Sequence, residues 1–132
     1  MKTQLKQIML MLTLVFTFAS CSSDDDKGSV NKSRDVKFEV TGNFTGTIDA
    51  VYIESGNAGQ SVDINALPWT KEFTASADTA GVGINVTGIG GAENQTITVK
   101  IYVGGKVEKE TTAKAKSDGT VVALPGSYIF PL

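Results

Sequence analysis

From residue 35 onward, apolar and polar positions alternate with a period of two. Val36, Phe38 and Val40 are separated by Lys37 and Glu39, Val82, Ile84 and Val86 by Gly83 and Asn85, and Ile97, Val99, Ile101 and Val103 by Thr98, Lys100 and Tyr102. Successive side chains of a strand point to opposite faces, so this alternation marks ribbons with one buried and one wet face. Gly42-Asn43, Gly56-Asn57, Gly90-Gly91, Gly104-Gly105 and Asp118-Gly119 punctuate the ribbons with turn chemistry. Together these signals predict strands near 36–42, 47–54, 60–64, 69–77, 82–88, 95–103, 106–115 and 119–124. No long stretch carries the apolar stripe of a helix.

Seven or eight short strands at this spacing predict an all-β domain. The expected architecture is an immunoglobulin-like β-sandwich of antiparallel strands, with a small β-barrel as the alternative. The clearest hairpin joins Ile97–Val103 to Lys106–Ala115 through Gly104-Gly105. Its second arm shows a polar face of Lys106, Glu108, Glu110, Thr112, Lys114 and Lys116, the charge pattern of an edge strand guarded against pairing with another molecule.

The N-terminal part follows a different logic. Lys2 and Lys6 precede the apolar run Ile8–Phe18, which ends in Ala19, Ser20 and Cys21. A basic region, a short apolar region and small residues are the three parts of a secretory signal. The run is too short to cross a bilayer as a helix. Phe18-Ala19-Ser20-Cys21 resembles the bacterial lipobox, which implies cleavage before Cys21 and lipid on its thiol; the usual leucine of the first position is Phe18 here. Several acyl chains make a stable membrane anchor. The next residues, SSDDDKGSVNKSR, contain almost nothing to bury and read as a flexible tether. The expected organisation is a signal peptide over 1–20, lipidated Cys21 and acidic tether over 21–34, and the β-domain over 35–132. The acidic run Asp24-Asp25-Asp26 resembles the surface-export signal of Bacteroidota lipoproteins. The expected location is therefore the outer membrane at the cell surface, with its periplasmic face as the alternative.

Composition narrows the chemistry. The net charge of −2 becomes −4 once Lys2 and Lys6 leave with the signal, and no basic patch points to a nucleic-acid partner. Histidine is absent, and the single cysteine is the one assigned to lipid. A Ser-His-Asp or Cys-His unit and a His-ligated zinc therefore cannot be assembled. Asp49, Glu54 and Asp63 read as scattered surface charges rather than a glycosidase pair. GVGINV lacks the third glycine of a dinucleotide loop, and Asp24–Asp26 lack the spacing of a calcium loop. No catalytic residue, cofactor or metal is expected. Trp69, after Leu67 and Pro68, is expected as a core plug whose strand Pro68 introduces. Asp78-Thr79-Ala80 resembles the Bacteroidota O-glycosylation motif, which makes Thr79 a possible glycan acceptor.

The segments Val36–Gly42, Leu67–Thr70 and Ile101–Val107, with the run on to Ala123, resemble the extracytoplasmic domain of the MmpS family (mycobacterial membrane protein, small). The resemblance implies a membrane-tethered β-sandwich that assists large resistance-nodulation-division exporters of lipids and siderophores. The chain departs from that pattern in its lipobox and in lacking domain cysteines. The expected activity is binding, as a non-catalytic accessory module of an envelope transport or assembly system. The alternative is a structural or adhesive surface lipoprotein that binds host or environmental polymers. Recognition is expected through the polar, glycine-rich loops near Ser55–Gln60 and Thr87–Gln95, with the Lys106–Lys116 edge tuning the on-rate.

Overall fold

The computed structural model describes residues 31–56 and 58–132; the signal, Cys21 and most of the tether lie outside the described residues. The alternating segments form nine strands: β1 Asp35–Gly42, β2 Thr47–Ile53, β3 Gln60–Ile64, β4 Trp69–Thr74, β5 Gly81–Ile89, β6 Thr96–Val103, β7 Lys106–Lys114, β8 Val121–Ala123 and β9 Tyr128–Ile129. The first sheet runs in the order β4-β1-β6-β7 and the second in the order β3-β2-β5-β8, with β9 beside the start of β5. All pairings are antiparallel, and the sheets stay separate rather than closing into a barrel. This is the expected sandwich, with one strand more than the alternation predicts. β9 is two residues long and pairs with Gly81 and Val82, too short for any period to reveal.

The inward face of each ribbon makes the core. Phe38, Val40, Val86, Ile97, Val99, Ile101 and Val103 are fully buried, and Ile84, Val82, Val121 and Ala123 nearly so. Phe38 sits at the centre, meeting Phe73 and Tyr52 edge-on at 5.3 and 5.9 Å between ring centroids. Such contacts add to the burial energy of the rings themselves. Phe44, in the loop after β1, closes one end of the sandwich; its ring lies over Gly88 and Gly91, where a Cβ would overlap it.

The Gly104-Gly105 hairpin forms as expected, with Val103 opposite Lys106 and φ of +60° and +80° at the two glycines. Positive φ at both central residues defines the tight turn whose twist suits a hairpin. The polar face of β7 is not continuous, however. Ile101 pairs with Lys109 but Tyr102 with Val107, so Glu108 is an extra, bulged residue. Past a bulge the side chains change face. Val107 therefore shares the outer face with Glu110 and Thr112 and is 39% exposed.

The expected core plug also sits differently. Trp69 begins β4 after a cis Leu67–Pro68 bond, and both Trp69 and Leu67 pack on the core while half-exposed; Pro68 is exposed. β4 is an edge strand, so its inward side chains stand at the open side of the sandwich. Lys71, also turned inward there, reaches Glu54 across the gap at 3.4 Å. Gln60 donates to Glu54 at 3.0 Å, and Tyr52 donates its hydroxyl to Gln60 at 3.2 Å. An inward charge on an edge strand discourages pairing with another chain.

Candidate functional site

The compact unit begins at Asn31, not at residue 35. The last residues assigned to the tether are bonded into the domain. Asn31 donates its amide to the Val103 carbonyl at 2.6 Å and to the bulged Glu108 at 3.2 Å. Arg34 donates to the carbonyls of Ser76 and Thr79 at 2.8 and 2.9 Å, and its guanidinium stacks 4.4 Å from the centre of the Phe130 ring. The chain thus enters at one end of the sandwich, beside the β4–β5 turn, the β6–β7 hairpin and β9. The end at which Asn31 enters is the proximal end, and the opposite end is distal.

The two loops expected to carry recognition lie at opposite ends of the sandwich. The loop after Ile53 is proximal, because Ile53 pairs with Gly83 near the start of β5; the loop after Ile89 is distal, because Ile89 pairs with Thr47. At about 3.4 Å per residue, the six residue steps of β5 from Gly83 to Ile89 hold them roughly 20 Å apart. They do not form one recognition surface.

Thr79 is turned inward, at 3% exposure, with its hydroxyl 2.8 Å from that of Ser76. Ser76 also donates to Asp78, and this bond, with one from the Asp78 backbone, holds the Asp78 carboxyl below its usual pKa. Arg34 pins both carbonyls of the same turn. A glycosyl donor reaches Thr79 only if this turn opens.

The outer faces of the two sheets are the remaining broad surfaces, and they differ in kind. On the first sheet opposite charges stand side by side. Lys37 pairs in register with Glu72, and Glu39 with Lys100, which in turn pairs with Glu110. Lys100 lies 3.5 Å from Glu110 and Lys37 lies 3.9 Å from Glu39. Lys37 also sits 4.2 Å over the Tyr102 ring, whose hydroxyl donates to Glu39 at 3.1 Å. Every one of these charges has an opposite neighbour.

The second sheet presents Thr47, Asp49, Val51 and Ile53 from β2, Ser61 and Asp63 from β3, Asn85, Thr87 and Ile89 from β5, and Val122 from β8. Val51, Val122 and Ile89 are 47%, 54% and 64% exposed. At its proximal end a shallow groove of about 370 Å³ is floored by Gly81 and Gly83 and walled by Ile53, Ser127 and Ile129. Its only strand-borne charges are Asp49 and Asp63, directly opposite each other, and no cation forms a salt bridge to either among the described residues. A hydrogen bond with Asp63, then desolvation and charge repulsion, push the Asp49 carboxyl above its usual pKa. The sequence shows both aspartates, but their juxtaposition depends on the β2–β3 register, which alternation alone leaves open. Glu54 stays apart, bound by Lys71 and Gln60.

A family model described as Mycobacterium membrane protein matches residues 14–124, from within the apolar run, through Cys21, to near the end of the second sheet. The chain belongs to this family, the MmpS family. MmpS membership marks it as membrane-associated and points to an accessory role in membrane transport. No curated protein matches the chain. Among the described residues no helix is long and apolar enough to cross a membrane.

Proposed function

We propose that this MmpS-family protein is a lipid-anchored, non-catalytic binding module that serves an envelope transport or assembly system from the outer membrane. The carrying observation is the family match, which runs in one stretch from within the apolar N-terminal run through Cys21 and the sandwich. The anchor is the acylated thiol of Cys21, placed where a lipobox requires it. The sandwich contributes surface rather than chemistry. The chain has no histidine, and its only thiol is taken by lipid. The aspartate pair stands on an open sheet face, without the enclosure that shields reacting groups from water. The adhesive alternative lacks an aromatic platform: among the described residues the exposed large hydrophobic side chains are all aliphatic. Anchoring holds the module within reach of a membrane partner and raises its effective concentration there.

The test is co-purification from chemically crosslinked envelopes, with wild-type protein beside Cys21→Ser. The expected result is an integral envelope protein recovered with the wild type, and an unprocessed, mislocalised variant that recovers none. Normal processing and retention of Cys21→Ser would refute the anchor. Turnover of a substrate by the purified domain would refute the non-catalytic role.

A further inference from the structure

We propose that the outer face of the second sheet is the docking surface for a partner protein that presents a Lys or Arg side chain, ringed by aliphatic ones, to Asp49 and Asp63; this rests on the accessory reading above. The face combines exposed Val51, Ile89 and Val122 with the Ile53–Ile129 groove, and its strands carry no positive charge. Interfaces differ from the remaining protein surface in this way, with charge depleted at their centre. The other outer face has the opposite charge pattern: acids and bases alternate across its strands.

The aspartates identify the occupant. Like charges directly opposite each other on neighbouring strands destabilise a sheet. Here the pair has no salt-bridge partner among the described residues and stands among strand positions that are otherwise uncharged, with Asp78 lining the groove at the proximal end. A cation supplied from outside removes the repulsion, and a guanidinium can bridge both carboxylates. Charge also argues against two other occupants. A two-fold contact between copies through this face brings the same patch against itself. It would gather four carboxylates with no cation among them. An anionic lipid surface is repelled by the same pair.

The experiment uses the full, anchored chain in its native envelope. A photoreactive phenylalanine analogue is installed singly at Val51, Ile89 or Val122 on the second face, and at Thr41, Thr98 or Thr112 on the first. The expected result is one discrete adduct with a different protein, formed from the second-face positions only. Asp49→Asn combined with Asp63→Asn should lower its yield about tenfold or more, as when a buried charge pair at an interface loses one partner. Glu72→Gln combined with Glu110→Gln should leave the yield within about twofold, since exposed, compensated charges contribute little. Circular dichroism of both double variants checks that the fold is kept. Adducts with a partner from the first face only would overturn this proposal and leave the accessory reading standing. Adducts between copies, adducts with lipid alone, or an undiminished yield from the Asp-to-Asn variant would overturn it too. No protein adduct from either face would overturn both readings.

Discussion

The two outer faces are built on one plan and end with opposite character. Both cover the same core, both come from residues that alternate with buried ones, and both are rich in β-branched side chains. On the first sheet Lys37, Glu39, Glu72, Lys100 and Glu110 form a checkerboard of compensated charge. On the second, the strand positions are Thr, Val, Ile, Asn and Ser, plus two aspartates that oppose each other. The core does not explain the difference, because it needs only the inward residues. What differs is the environment each face meets. A compensated face is at ease in water, whereas an aliphatic face with an uncompensated pair gains by being covered.

The largest expected effect lies in the core, which both faces share. Phe38→Ala removes a ring that is fully buried between Tyr52 and Phe73, and should lower stability by about 3–5 kcal/mol in denaturant unfolding. Trp69→Ala should cost less, about 2 kcal/mol, because the ring is half-exposed at the open side of the sandwich. A loss from Trp69→Ala equal to that from Phe38→Ala would contradict its placement on the edge.

Smaller effects separate the faces. Lys100→Glu places a third acid between Glu39 and Glu110 and should cost about 1 kcal/mol by thermal unfolding at low salt, less at high salt. Asp63→Asn should act the other way. The folded protein holds the Asp49 proton to a higher pH than the unfolded chain does, so stability falls as pH rises from the ordinary carboxylate range through the raised pKa. Asp63→Asn removes the second negative charge, and with it the repulsion, while its amide can donate to the Asp49 carboxylate. The variant should be the more stable protein at neutral pH, and the gap should close as pH falls below the carboxylate range. A destabilised variant at neutral pH would mean that the pair is compensated within the domain.

The strands were legible because burial imposes their period: Val36-Phe38-Val40 and Ile97-Val99-Ile101-Val103 announce inward faces, and Gly104-Gly105 announces the turn between β6 and β7. What stayed hidden depends on partners distant in the chain. The Glu108 bulge moves Val107 to the outer face, and no local signal marks it. An immunoglobulin-like sandwich commonly buries one tryptophan, which predicts Trp69 in the core, but position in the sheet order decides burial, and β4 is an edge. The pairing of Asp49 with Asp63 needs the register, and the separation of the Ser55–Gln60 and Thr87–Gln95 loops needs the strand directions. Arg34 read as tether because its surroundings are polar; its partners, the Ser76 and Thr79 carbonyls, lie far along the chain.

Carboxylate footprinting tests the contrast between the faces most directly. A water-soluble carbodiimide with glycine ethyl ester is applied to intact native envelopes and to the purified protein, and labelling is read residue by residue. The account expects Asp49 and Asp63 to be protected in the envelope and labelled once purified, while Glu72 and Glu110 label equally in both. Equal labelling of Asp49 and Asp63 in the two preparations, or protection of Glu72 and Glu110 instead, would contradict it.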